Sequence, residues 1–384
     1  MILKLEENAE DHESFEDLFR RVHSLKGIGG THDLRIITTI CHKLEDQLTD
    51  ANAERRFDQG TRPRALTRKA TMPVEILMIA PMAPVESALA ADFRIHHLPP
   101  AAERAAFFQQ HGAGIRGIVT YSGGGIVDRT LLQALPAVEI VGNMGVGYES
   151  VDLNATRERG LIVTNAGSVN AVDVAEHAFG LLLDVARGIA AGDRHVRAGL
   201  WASKGRVKLT HRASGRKLGI VGLGHIGLAV AKRAAGFEMV VSYHNRKPRA
   251  DVAYRYVSDI VELARDADFL VVATPGGAHT HHLINAAVIA ALGPEGILVN
   301  VGRGSVVDES ALVDALVSGR LGGAGLDVFE DEPRVPEALL TLPNVVLQPH
   351  VGGATYEGIA ASVDILLRNL QLHFAGKPVL TPVR

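Results

Sequence analysis

The run KLGIVGLGHIG, Lys217 to Gly227, constrains the fold of this chain of 384 residues more than any other segment. It reads as a buried strand that enters a glycine turn and leaves it as a helix. Gly222 permits the tight turn, Gly224 lets backbone amides approach an anion with no side chain between, and Gly227 lets the helix pack closely on the strand. Ile220 and Val221 precede the turn, and Ile226, Val230 and Ala234 continue beyond it at helical spacing. A second strand, Met239 to Tyr243, follows Gly236. Three glycines alone also describe an ordinary tight turn. With strands on both sides, the segment predicts a dinucleotide whose pyrophosphate meets unpaired amides at a helix N-terminus.

The end of the second strand bears on which dinucleotide. A site for NAD places Asp or Glu about 20 residues beyond the glycines, on the ribose hydroxyls. This chain has Tyr243-His244-Asn245-Arg246-Lys247-Pro248 there. A carboxylate repels a 2'-phosphate, whereas Arg246 can grip one through charge-assisted bonds and Lys247 adds positive charge. NADP(H) is therefore expected ahead of NAD(H); the plainer alternative is a solvated basic turn.

Forty Lys and Arg nearly balance 43 Asp and Glu, so no global charge draws the chain to nucleic acid or to an acidic membrane, and its partners are expected to be small molecules. Cys41 is the single cysteine, which excludes an intramolecular disulfide and fits a reducing compartment. The start, MILKLEENAEDHESFEDLF, is acidic where a secretory signal is basic and then apolar, and no apolar run reaches membrane-spanning length. A cytoplasmic protein is expected.

Residues 1–52 are charged and helical in period: Phe15, Leu18, Phe19 and Val22 share one face, and Leu34, Ile37, Ile40, Cys41, Leu44 and Leu48 another. Residues 53–72 carry Arg55, Arg56, Arg62, Arg64, Arg68 and Lys69 without an apolar period, as a linker does. From Pro73 short apolar strands alternate with helical stretches, which predicts α/β architecture with parallel sheets. Strands are expected at Glu75 to Ile79, Gly117 to Thr120, Glu139 to Val141 and Ile162 to Thr164, ahead of the glycine turn. Further strands are expected at Phe269 to Ala273, Ile297 to Val301 and Gly322 to Leu326 beyond it. A long helix is read through Val172, Ala175, Phe179, Leu182, Ala186 and Ile189, and a final one from about Ala354 to Phe374.

Three later segments, ILVNVGRGS, GGAGLDVFEDEP and NVVLQPHVGGAT, each run an apolar strand into polar or charged residues beside glycine or proline. In open α/β sheets the carboxyl ends of strands line the ligand crevice, so Arg303, Asp327, Glu332 and His350 are expected to converge there. Singly, these could be a surface cap, a loop carboxylate or a packed histidine. In this order after the glycine turn they resemble the D-isomer-specific 2-hydroxyacid dehydrogenases. The likeness runs from about Val74 to Arg384 and rests on NMGVGYESVDL, GIVGLGHIGLAVAKR, VNVGRGSVVDE, GAGLDVFEDEP and LPNVVLQPHVGGAT. The HNRKP turn and the closing KPVLTPV look most like the NADPH-preferring glyoxylate/hydroxypyruvate reductases and the hydroxyphenylpyruvate reductases.

The resemblance implies two Rossmann/flavodoxin-like doubly wound lobes with parallel sheets, plus the short N-terminal helical segment. Residues 73–168 with 350–384 would form the substrate domain and residues 169–349 the NADP-binding domain. It implies Arg303, Glu332 and His350 as catalytic residues in the reduction of a small 2-keto acid to a 2-hydroxy acid. His350 would donate the proton, Glu332 would stabilise the imidazolium, and Arg303 would hold the substrate carboxylate and polarise the carbonyl. Ser122, Gly123, Val146 and Gly147 would offer amides to that carboxylate. Cofactor contacts would come from Gly222, Leu223, Gly224, His225, Ile226, Gly227 and from Asn245, Arg246 and Lys247. Thr274, Pro275, Val301, Gly302, Arg303, His350 and Gly352 would complete them, with Asp327 positioning the nicotinamide carboxamide. Many relatives have Arg or Lys where this chain has His225, and Thr where it has Ala171. The family is commonly dimeric, and Trp201, in AGLWASKG, would either reach across a homodimer or anchor a loop. A nucleotide-sensing regulator with weak catalysis is the alternative.

The front segment RRVHSLKGIGGTHDL, continued by CHKLEDQLTD, resembles the phosphoacceptor helix of histidine phosphotransfer domains. That resemblance makes His23 the phosphorylated residue, with Lys26 and Gly27 beside it, and a response regulator the partner. About two helices are present where that domain needs a bundle of four. A working module, a remnant and a start-site artefact, with Met72-Pro73-Val74 as a native beginning, all stay open.

Overall fold

A computed structural model describes residues 73–121 and 123–383. The expected N-terminal helices and basic linker, with Cys41 and His23, and also Ser122, lie outside the described residues. Parallel strands β1 (Val74–Met78), β2 (Phe93–His97), β3 (Ile115–Thr120), β4 (Ile140–Asn143) and β5 (Ile162–Thr164) form a first sheet in the order β2-β1-β3-β4-β5. That is the flavodoxin-like order. Neither it nor β2 was legible strand by strand: in Phe93-Arg94-Ile95-His96-His97 only Phe93 is fully buried, so this edge strand lacks a clean alternation.

A second parallel sheet holds β6 (Lys217–Val221), β7 (Val240–His244), β8 (Arg255–Tyr256), β9 (Phe269–Val272), β10 (Ile297–Asn300), β11 (Gly323–Leu326) and β12 (Val345–Leu347). Its order, β12-β11-β10-β9-β6-β7-β8, is the Rossmann order with one strand added. The chain reverses direction across the sheet between β6 and β9, which pair Ile220 with Val271 and Val221 with Val272. A crevice opens at such a switch point. Both faces of β9 and β10 are covered, which is why FLVV and ILVN read as continuous apolar runs rather than alternating ones.

The long helix spans Ala171–Arg187 and buries Val174, Ala175, Ala178, Phe179, Leu181, Leu182 and Ala186. Val172, expected on this face, is exposed: two positions before Val174, it lies on the opposite side of the helix. Ile189 is exposed too, because Gly188 at φ +61° ends the helix and Ile189 begins a separate one, Ile189–Arg197. The final helix, Tyr356–Phe374, starts two residues later than expected, capped by Thr355 Oγ1 on the Gly358 N–H at 2.8 Å. It returns to the first sheet, where Leu366 and Leu370 pack with Ile76, Met78 and Ile140. Full burial of each leucine contributes about 1.5–3 kcal/mol. Among the described residues no helix is long and apolar enough to cross a membrane.

Candidate active site

The glycine turn has the shape its sequence demands. Gly222 sits at φ +94°, and a Cβ there would stand 2.9 Å from Thr274 N; a Cβ on Gly227 would collide with Gly222 O. Around Gly224, by contrast, a Cβ would meet nothing within 4 Å. Gly224 caps the helix His225–Ala234 and brings no side chain to its amides, whereas Asp128, Asp152, Asp259, Asn285, Asp308 and Thr355 each cap a helix with a side-chain oxygen. Open space before uncapped amides suits a phosphate.

This turn faces a cleft of 930 Å³ that Leu223, Asn245, Arg246, Lys247, Thr274 and Pro275 also line. Among the described residues no carboxylate lines it. Asn245 is turned inward, its Oδ1 accepting from Leu223 N at 2.7 Å, so it braces the turn. Arg249, which the sequence reading passed over, braces it from the other side through Nη1 on Leu223 O at 2.8 Å and is itself paired with Asp251. Arg246 and Lys247 are exposed and have no ion-pair partner among the described residues.

A second, adjoining cleft of 1290 Å³ lies between the two sheets. His225, Ile226, Thr274 and Pro275 line it from the nucleotide side, with Val301, Gly302 and Gly352, while Val146 and Gly147 line it from the first lobe. Asn143 Nδ2 holds the carbonyls of Gly145 and Gly147, and Asn165 Nδ2 that of Val146. Gly123 is not among the residues that line either cleft, whereas Tyr121 lines the second. Asn170 also lines the cleft, with a buried Oδ1 that lacks a partner among the described residues.

The three expected catalytic residues meet here. Buried Asn300, at the end of β10, donates to Arg303 O at 3.0 Å and accepts from Gly302 N at 3.0 Å, which fixes the loop carrying Arg303. Its guanidinium reaches Glu149 of the first lobe, Nε to Oε1 at 3.0 Å. His350 Nδ1 meets Glu332 Oε2 at 2.8 Å, and Glu332 Oε1 accepts from Phe329 N at 3.2 Å. With Nδ1–H given to the carboxylate, Nε2 is the nitrogen left for chemistry. Burial works to raise the Glu332 carboxyl, but the bond to His350, its charge, the Phe329 N–H and the Arg303 charge outweigh it and hold the carboxyl below its ordinary range.

Asp327 lines the cleft as expected and also has a structural task that its sequence did not show. It is 2% exposed, and its two oxygens accept from Val351 N at 2.8 Å and Gly352 N at 2.9 Å. His177 Nε2 lies 3.2 Å from Oδ1, too bent for a full hydrogen bond. Asp327 O also accepts from His350 N at 2.8 Å. The residue thus secures the loop that holds His350 at φ +56°, and each carboxylate oxygen keeps a further lone pair on the cleft that it lines. Burial acts to raise its carboxyl, yet the His177 contact and the two N–H donors leave it lowered. Such a group stabilises the fold fully above its unfolded value and loses that contribution as acid takes it through its folded value. Asp327→Asn sets an amide NH₂ against a backbone N–H, so we expect a loss of about 1–3 kcal/mol. Urea unfolding at neutral pH measures it, and an unchanged midpoint would refute the loop-holding role.

Two parallel doubly wound sheets, with Arg, Glu and His gathered beside a dinucleotide cleft, define an oxidoreductase that acts on a CH–OH group with a nicotinamide cofactor. A model of the D-isomer specific 2-hydroxyacid dehydrogenase NAD binding domain matches residues 179–352. A hydroxyphenylpyruvate reductase of Plectranthus scutellarioides is 47% identical over 311 residues, 81% of this chain and 99% of the relative. A glyoxylate/hydroxypyruvate reductase of Arabidopsis thaliana is 44% identical over 311 residues, with the same coverage. Among solved structures, the NADPH-dependent glyoxylate/hydroxypyruvate reductase of Sinorhizobium meliloti, in complex with NADP and malonate, is 40% identical with a TM-score of 0.74, covering 82% of this chain and 97% of that one. The chain belongs to the D-isomer-specific 2-hydroxyacid dehydrogenase family. A Hpt domain model matches residues 1–67, past Asn52 and into the stretch read as a linker.

Proposed function

We propose that this protein reduces small 2-keto acids, glyoxylate and hydroxypyruvate among them, to D-2-hydroxy acids with NADPH as the preferred reductant. The observation that carries the reading is the Glu332–His350 pair at 2.8 Å, in the same cleft as Arg303 and the glycine turn's helix. The named activities of the Plectranthus, Arabidopsis and Sinorhizobium relatives support it.

The residues present fit the dinucleotide: open space at Gly224, uncapped amides behind it, and Arg246 and Lys247 where a 2'-phosphate would lie. When bound, NADPH supplies the hydride. Arg303 offers a planar fork to the substrate carboxylate and carbonyl, polarising the carbonyl as negative charge grows on its oxygen. His350 delivers a proton from Nε2 to that oxygen, and Glu332 steadies the imidazolium beforehand. In the oxidative direction neutral His350 accepts the proton. Val146 and Gly147, held by Asn143 and Asn165, give the carboxylate a backbone wall.

A homodimer is the assembled form we favour, and the cytoplasm the compartment. Support for the dimer comes from the exposed apolar side chains Ile189, Val196, Trp201, Val207 and Leu209. Trp201 stands 58% exposed, which favours a reach across the dimer over a packed loop anchor.

NADPH oxidation is expected with glyoxylate or hydroxypyruvate in a panel that includes pyruvate and phenylpyruvate. Tight NADPH binding without turnover of any member would leave the nucleotide-sensing alternative. The Hpt match favours a second activity, phosphotransfer through His23. Label passing to His23 from a phosphorylated response regulator would support it, and none would leave the reductase alone.

A further inference from the structure

We infer that Glu149 is a positioning residue for the reduction, setting from across the cleft which edge of Arg303 the substrate meets. The inference rests on the reductase reading. Arg303 has five N–H donors in a rigid plane. Those on Nε and Nη2 face Glu149 side-on, at 3.0 Å to Oε1 and 3.4 Å to Oε2. One on Nη1 turns back toward the residue's own backbone, to Gly302 O at 2.6 Å. One hydrogen remains on each terminal nitrogen. Together these form an end-on fork matched to a carboxylate or to a carboxylate and its neighbouring carbonyl. The ion pair therefore leaves Arg303 competent and aimed.

Three further observations point the same way. Glu149 comes from the loop after β4 and Arg303 from the loop after β10, so the pair ties the two lobes at the place where substrate enters. The side chains are 42% and 24% exposed, and pairs that open to water add little to stability, so a purely structural role accounts for it poorly. The chain also clears space for the pair: a Cβ on Gly147 would overlap Arg303 Nη2 and stand 2.5 Å from Glu149 Oε2.

Glu149→Leu is expected to lower kcat/KM for the 2-keto acid about 10- to 100-fold, the scale of a misplaced catalytic contact. KM for NADPH should stay within about twofold and the thermal midpoint should not move, because the pair touches neither the glycine turn nor the core. Glu149→Gln keeps an acceptor oxygen at the same reach and should recover most of the loss. In an Arg303→Lys background, which has no fork to aim, Glu149→Leu should cost less than about twofold more. Equal losses in both backgrounds, an equal rise in KM for NADPH, or an unchanged kcat/KM would each overturn the inference. If the wild-type enzyme reduces no keto acid, the proposed function fails, and the affinity of the NADP⁺-loaded protein for oxamate still decides this one. About tenfold weaker oxamate binding by Glu149→Leu supports the positioning role, and equal affinity overturns it.

Discussion

Replacing His350 with Gln should lower kcat for 2-keto-acid reduction about 10²- to 10⁴-fold while KM for NADPH changes little. Glutamine spans a similar reach and can still donate a hydrogen bond, so it preserves polarity in the cleft but cannot release a proton to the forming alkoxide. The ring's orientation is fixed from two sides. Glu332 Oε2 holds Nδ1 at 2.8 Å, and the backbone is fixed by His350 N on Asp327 O at 2.8 Å. The loss therefore belongs to chemistry rather than to a collapsed loop. Reduction needs a proton donor at this position and oxidation an acceptor, so the substitution should slow both directions. Glu332, held below the ordinary carboxylate range, stays charged well into mild acid, so its ionisation should not impose a limb there. A His350→Gln enzyme that retains most of its kcat would remove His350 from the acid–base role.

The local parts of this molecule were legible in its sequence and the long-range parts were not. The turn at Gly222, the unobstructed approach at Gly224 and the strand ends bearing Arg303, Glu332 and His350 are each written within about ten consecutive residues, because the fold puts a ligand crevice at strand ends as a rule. The Arg303–Glu149 pair joins residues 154 positions apart and exists only once two lobes have closed on each other. Nothing in GYESVD marks Glu149 as a partner for an arginine. Asp327 was placed in the right cleft, but its bonds to the loop carrying His350 were not legible: a strand-end carboxylate looks alike whether it faces a ligand, the backbone of the next loop or both. Arg249 was hidden by Pro248, where the basic turn seemed complete. Val172 shows the limit of spacing alone, since steps of three and four can be threaded along a helix from more than one starting residue.

Removing the charges of Arg246 and Lys247 together should raise KM for NADPH about 10- to 100-fold and leave KM for NADH within about twofold, as the loss of a charge-assisted phosphate contact of about 1.5–3 kcal/mol predicts. Both side chains are exposed on the nucleotide cleft, where no described carboxylate competes and no ion pair must break before a phosphate arrives. Arg249, two residues on, makes the contrast. Its guanidinium is committed to Asp251 and Leu223 O, so Arg249→Lys should loosen the glycine turn and weaken both cofactors alike. Asn245→Asp tests the same logic from the opposite sign. Asp keeps the acceptor that Leu223 N–H needs at 2.7 Å, so the turn survives, but it adds the negative charge that an NAD site places at this strand end. With Arg246 and Lys247 removed as well, preference should invert toward NADH. Salt separates the two contributions further: raising ionic strength should weaken NADPH binding by the wild type more than NADH binding, and the gap should close in the double variant. Equal shifts for both cofactors would mean that the basic turn is only a solvated surface.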